Sequence, residues 1–402
     1  MKIVYLNPDR GIPVLGDKGA SVHVRELVTA FSDLGHDVTL LCARLGAGNS
    51  PPPARIFEIP PTDPKDESVL QRELARCAYD REFCGRAQTM LAAQPAVPEA
   101  LYERHTLFHG TGSALAAALG VPRILEVNAP LVEEQEKFRG LSLKTLAEEI
   151  ETKSFRTADH IIAVSEEIRH HVMTRGVSAE RVSVFPNGVD TTRFHTGING
   201  NAIREQYKIS ADAPVVGFIG SFKPWHGVDF LVEAFVRVAQ QRPDATLLAV
   251  GDGPALEALR AHIAPNSNGR IIFTGRVSHA QIPLYLAAMD LTVAPYLADG
   301  SFYFSPLKVV ESLAAGRPVV APHVGQLSVL LRHGDNGFLF PPGDVAACAA
   351  TLLEALSNLP RLRAMGRNAS TAAQAEFSWR RTAARTISLF TNLQTPAGRQ
   401  AS

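Results

Sequence analysis

The chain is short of cysteine and has no long apolar run, and each shortage removes a class of protein. Its four cysteines are Cys42, Cys77, Cys84 and Cys348. They form no Cys-x-x-Cys pair and have no histidine cluster beside them, which argues against a disulfide framework and a zinc site and leaves them reduced. No stretch supplies the roughly 20 apolar residues that a spanning helix needs. No Asp-x-Asp occurs, so a carboxylate pair of the kind that holds a metal-bound nucleotide is missing. Gly-x-Gly-x-x-Gly is missing too, which disfavours a dinucleotide cofactor. No basic block marks a nucleic-acid surface. The formal charge is zero, yet residues 1–200 carry 22 Lys and Arg against 26 Asp and Glu, and residues 201–402 carry 18 against 14. The basic surplus of the second half suits an anionic ligand, and chance scatter of surface charge explains it about as well.

What is present is ordinary globular sequence, 46% apolar and 20% charged, and 402 residues exceed what one core usually organises. Met1 to Asn7 is a short apolar run without a basic flank, so it reads as a first strand rather than a signal peptide, and the expected location is cytoplasmic. Strand and helix then alternate: Lys2 to Asn7, the amphipathic Ser21 to Leu34 with Val24, Leu27, Val28 and Phe31 on one face, and Asp37 to Cys42. Leu101 to Tyr102, Arg123 to Val127, His160 to Val164 and Val182 to Phe185 continue the pattern, and the proline-rich Arg44 to Glu67 reads as a loop. Turn chemistry at Pro186 to Asp190 interrupts it. Pro214 to Gly220, Thr246 to Val250, Ile271 to Thr274, Leu291 to Pro295 and Pro318 to Ala321 then begin it again. The expectation is two α/β domains, residues 1–190 and 205–376, each a doubly wound parallel sheet that receives ligands beyond its strands' carboxyl ends.

The segment from Phe304 to Ala321 is the most informative. Ser305 reads as an N-cap and Pro306 as a first-turn residue, so the helix start, with Leu307, offers unpaired N–H groups to a diphosphate. Lys308 and Glu311 fall on one helical face, where they could meet a phosphate and a ribose, or pair with each other in solvent. Other segments bring glycine or charge to strand ends: Gly217 to Gly227 with Gly220, Ser221, Lys223 and His226, Gly251-Asp252-Gly253-Pro254, and Phe273 to Val277 with Arg276.

Taken together and in this order, these segments resemble the family 4 retaining glycosyltransferases (glycosyl transferases group 1). The resemblance implies the GT-B fold, two Rossmann-like doubly wound domains facing a central cleft, with a C-terminal helix, residues 377–394, crossing back to the first. It implies a donor site at Gly220, Ser221, Gly251, Arg276, Val277, Ser305, Pro306, Leu307 and Glu311. Charge on the leaving group would be met by Lys308, Lys223 or His226, with Asn128 near the reaction centre. The chain departs from the family pattern at Tyr303, where a glutamate is usual, at Ser221 and His226, where Arg and Lys are usual, and at Asn128, where His is usual.

In the first half, the loop Gly16-Asp17-Lys18-Gly19-Ala20 precedes a helix, and Glu103, Arg104 and Glu126 stand at strand ends. By resemblance Gly16, Lys18, Gly19, Ala20, Glu103, Arg104 and Glu126 line the acceptor side, while His109 reads as a structural histidine. The implied activity moves a sugar from a nucleotide-diphosphate donor, a UDP-sugar first and a GDP-sugar second, to an acceptor hydroxyl with retention of configuration. It needs no cofactor and no metal. The acceptor stays open among saccharide, lipid-linked saccharide and small metabolite, with peripheral membrane contact open as well. A non-catalytic nucleotide-sugar binder and a sugar-nucleotide 2-epimerase are the alternatives.

Overall fold

The structure, a computed structural model, describes residues 1–48, 50–62, 68–263, 270–297 and 302–395. It parts into two compact units. The first holds Met1–Asn187, Tyr303–Ser305 and the chain from Trp379, and the second holds Gly188–Phe302 and Pro306–Ser378.

The first unit is built on strands β1 (Lys2–Asn7), β2 (Asp37–Cys42), β3 (Arg55–Glu58), β4 (Ala100–Arg104), β5 (Arg123–Val127), β6 (His160–Ala163) and β7 (Val182–Val184). They lie in the order β3-β2-β1-β4-β5-β6-β7 with every pairing parallel. The second unit uses β8 (Val215–Ile219), β9 (Thr246–Val250), β10 (Arg270–Phe273), β11 (Leu291–Val293), β12 (Val319–Pro322) and β13 (Gly337–Phe340), in the order β10-β9-β8-β11-β12-β13, also parallel. Each order reverses once, between β1 and β4 and between β8 and β11. Helices leave opposite faces of the sheet on either side of such a point, so a crevice opens there at the strands' carboxyl ends.

Two strands are absent from the sequence reading, and both are sheet edges. The stretch Arg44 to Glu67 is not all loop, because β3 lies within it, and residues 49 and 63–67 fall outside the described ones. An edge strand pairs on one side only and needs little apolar sequence, which is why Arg-Ile-Phe-Glu between prolines carried no clear signal. The last helix is also corrected. Phe377 ends the helix Leu359–Phe377, Ser378 is extended, and a separate helix runs Trp379–Gln394 within the first unit.

Helix faces follow the 3.6-residue period. The helix Gly19–Asp33 buries Val24, Leu27, Val28 and Phe31, and Val228–Gln241 buries Leu231, Val232, Phe235 and Val238. Each such side chain contributes about 1.5–3 kcal/mol on burial. At the start of β5 the fully buried Arg123 guanidinium contacts the buried Glu103 carboxylate and donates to Ser154 O at 2.6 Å. Removing one partner strands the other charge in the core. Arg123→Ala should therefore lower unfolding free energy by about 3–5 kcal/mol in urea titration, and Arg123→Met combined with Glu103→Leu should recover most of it. Additive losses in the double variant would contradict the pairing.

Candidate functional site

In the second unit the chain turns sharply where β8, β9 and β10 end. Gly220 N donates to Val250 O at 3.0 Å and Gly251 N to Gly275 O at 3.1 Å. Gly251 has φ +139°, and a Cβ there would sit 1.8 Å from Gly220 O, so only glycine lets the two loops meet. The site assembles on this platform.

Lys308 rises from the helix Leu307–Ala314 toward the point where the strand order reverses. Its Nζ lies 4.6 Å from the Phe218 ring of β8 and 4.8 Å from the Tyr296 ring just past β11. The amine is buried and makes no hydrogen bond. Burial alone pushes its pKa from 10.5 down to about 7. Two aromatic faces stabilise a cation modestly and satisfy none of its three donors. A buried ammonium aimed into a strand-end crevice without a counter-charge is an incomplete anion site.

Glu311, one turn along the same helix, does not pair with Lys308. Its Oε1 takes His279 Nε2 at 2.8 Å, and Arg193 donates to His279 O at 3.0 Å. His226 lies beside Ser221, with Nδ1 2.5 Å from Ser221 O and 3.1 Å from Ser221 Oγ. A carbonyl only accepts, so Nδ1 carries the proton. Burial first, then Lys308, push this imidazole down to about 3 against the pull of the Ser221 carbonyl, with Lys223 adding to the push. His226 is thus a neutral ring that donates through Nδ1. Lys223 is exposed with its ammonium 4.8 Å over Trp225, and it does not join Lys308. Arg276 is exposed, and Val277 packs against the unit's core.

Ser305 is not the cap of the Lys308 helix. That helix is preceded by Pro306, with no side-chain cap. Ser305 instead belongs to the first unit, where its Oγ accepts from Asn187 N at 2.9 Å and its carbonyl accepts from Asn187 Nδ2 at 2.5 Å. Tyr303, in the same segment, donates its hydroxyl to the Glu134 carboxylate.

The first unit gathers a second cluster at the ends of β4 and β5. Glu126 Oε1 lies 2.7 Å from His23 Nε2, and Oε2 lies 3.5 Å from Arg104 Nη1. Burial works to raise this carboxyl, but His23, then Arg104 and the Asn128 side chain, outweigh it and hold it below its usual range. His23 Nδ1 meets Asn187 Oδ1 at 2.8 Å, and its ring stands edge-on to Trp379 at 4.7 Å. Gly19 and Ala20 open the helix that carries His23, Lys18 precedes them exposed, and Arg25 holds the Gly16 carbonyl at 2.7 Å. Glu103 does not join this cluster, since Arg123 consumes it. His109 is structural: its Nδ1 lies 3.1 Å from Asp80 Oδ1 and its ring is edge-on to Tyr79 and Phe83.

Residues 18–193 match the family Glycosyltransferase Family 4, and residues 213–358 match Glycosyl transferases group 1. The chain belongs to glycosyltransferase family 4. The MMP alpha-(1->4)-mannosyltransferase of Mycolicibacterium hassiacum is 27% identical over 407 residues, 92% of this chain and 94% of that protein. Sucrose-phosphate synthase from Thermosynechococcus elongatus superposes with a TM-score of 0.74 at 21% identity, covering 98% of each chain. Anabaena HepE, solved in complex with UDP, gives 0.70 at 21% identity over 96% of this chain and 100% of its own. These likenesses carry the GT-B fold.

Within this glycosyltransferase, sequence reasoning missed His23, Asn187, His279 and Tyr296. His23 carried a usable signal, being a lone histidine on the apolar face of the helix after the glycine loop, where a buried imidazole needs a partner. The other three are brought into place by chain folding alone. A lysine whose pKa drops on folding penalises the folded state fully below pH 7, and the penalty fades as pH rises toward 10.5. Lys308→Met should accordingly raise the melting temperature of the ligand-free protein at pH 7 by about 2–4 °C or more. A lowered melting temperature at pH 7 would contradict this placement of the amine.

Proposed function

We propose that this glycosyltransferase moves a sugar from a nucleotide-diphosphate donor, a UDP-sugar before a GDP-sugar, to an acceptor hydroxyl with retention of configuration. The observation that carries the proposal is the unpaired, buried Lys308 amine at the carboxyl ends of β8 and β11. As the bond from sugar to phosphate breaks, negative charge grows on the departing diphosphate. A preorganised ammonium in a dry setting stabilises that charge far more than one in water. The start of the Leu307–Ala314 helix adds its dipole.

In this reading Glu311, with Oε1 held by His279, turns its other oxygen to the ribose hydroxyls. Gly220 and Gly251 let the backbone approach the phosphates, and Val277 borders the base. The acceptor, a saccharide, lipid-linked saccharide or small metabolite, belongs to the first unit, where Glu126, Arg104, Asn128 and the loop Gly16 to Ala20 would position its hydroxyl. The departing phosphate takes that hydroxyl's proton, so the protein positions groups more than it moves protons. The work would be cytoplasmic, with the leaving-group charge met by Lys308 in place of a metal.

The HepE complex with UDP supports UDP as the first nucleotide to try. Glu311→Ala should weaken UDP binding by about 1–3 kcal/mol, read by calorimetry, through lost charge-assisted hydrogen bonds. An unchanged dissociation constant would place the ribose elsewhere. Transfer or slow donor hydrolysis should persist in EDTA and give a product with the donor's anomeric configuration by proton NMR. Loss of activity in EDTA that a divalent cation restores, or an inverted product, would overturn the corresponding part of the proposal. Binding of nucleotide sugars with no turnover of any of them would favour the non-catalytic binder.

A further inference from the structure

Of the chain's two tryptophans, Trp379 is buried and Trp225 is 42% exposed. Trp225 lies in the loop of residues 221–227, between β8 and the helix Val228–Gln241. Both ends of this loop are fixed. Phe222 is fully buried and its N donates to Asp252 O at 2.9 Å. Gly227 has φ +62°, and a Cβ there would sit 1.9 Å from Pro295 O, so the chain is pressed against the segment after β11. Between these anchors the Lys223 ammonium stands 4.8 Å over the indole, and the His226 ring is edge-on to it at 6.1 Å. A large aromatic surface is thus presented to water by a rigid loop, an arrangement that favours a ligand because little order is lost on binding.

His226 adds one directed polar group. Its Nδ1 proton is committed to the Ser221 carbonyl, so Nε2 keeps a lone pair, to which no group donates among the described residues. A lone pair accepts from a hydroxyl and has nothing to offer a phosphate oxygen. The His226 and Tyr296 rings are 5.6 Å apart, and Tyr296 borders the Lys308 amine. The helix that carries Lys308 and Glu311 packs on the face of the sheet that holds Val215, while the helix after the loop packs on the face of Val216 and Phe218. The Lys308 amine reaches Phe218 on that second face. A diphosphate on this amine, with its ribose at Glu311, has its far end on the side of the loop.

We infer that Trp225 and His226 form the subsite for the donor's sugar ring, the indole stacking on its C–H face and His226 Nε2 accepting from one of its hydroxyls. The inference rests on the nucleotide-sugar reading and adds the residues that read the sugar. A ring with an apolar face and a hydroxyl rim fits an aromatic platform beside a single directed acceptor. A sugar without the matching hydroxyl leaves Nε2 dry and unpaired, which makes His226 a specificity residue.

The test uses the full chain and its tryptophan fluorescence, titrated with UDP, UDP-glucose, UDP-N-acetylglucosamine, GDP and GDP-mannose. We expect at least one nucleotide sugar to change the emission beyond what its own nucleotide does, and Trp225→Phe to remove that extra signal. By calorimetry, Trp225→Ala should weaken that nucleotide sugar about tenfold, and His226→Leu about three- to tenfold with His226→Gln recovering most of the loss. Affinity for the bare nucleotide should hold throughout, which shows the variants folded. No signal beyond the nucleotide's, undiminished binding of the nucleotide sugar by Trp225→Ala, or equal losses for nucleotide and nucleotide sugar would overturn the inference and leave the donor reading standing. Binding of none of these ligands by the unaltered chain would overturn the donor reading, and the subsite with it.

Discussion

A single uncompensated charge organises the second unit. Lys308 carries an ammonium into a space walled by Phe218 and Tyr296, with a hydrogen-bonding partner for none of its protons. Natural proteins seldom leave a buried charge so exposed to its own desolvation cost unless something pays for it when bound. The neighbours respond to that charge: His226 is driven neutral beside it, and Glu311 is turned away to His279 instead of neutralising it. Had Glu311 closed the ion pair, the crevice would hold a satisfied salt bridge and no reason for an anion to enter. Gly220 matters here because a Cβ at that position would sit 2.9 Å from the amine.

The first unit solves a different problem. Its cluster is balanced, with Glu126 held ionised between His23 and Arg104, and His23 fixed from its other side by Asn187. Such a network is rigid and costs little, which suits groups that orient a hydroxyl rather than absorb charge.

The repeating strand and helix pattern and the break near Asn187 were legible in the chain, because periodicity and turn chemistry are local properties. Edge strands β3 and β13 were not, since a strand paired on one side needs only a few apolar residues. The role of Ser305 was misread for a related reason: a serine before a proline at a helix start satisfies the local rule for a cap, and only the long-range contact with Asn187 diverts it. Glu103 and Glu126 illustrate the same limit. Both are acids at strand ends, and which one is consumed by Arg123 depends on the side of the sheet that each faces.

Proton uptake on nucleotide binding tests the central claim most directly. At pH 8 a lysine of pKa about 7 is mostly neutral, and a diphosphate settling on it must restore its charge. Calorimetric titration with UDP in buffers of different ionisation enthalpy should show uptake approaching about one proton per UDP at pH 8, falling toward zero at pH 6 and absent at both in Lys308→Met. Heats independent of the buffer at pH 8, with UDP bound normally, would mean that the diphosphate does not rest on Lys308.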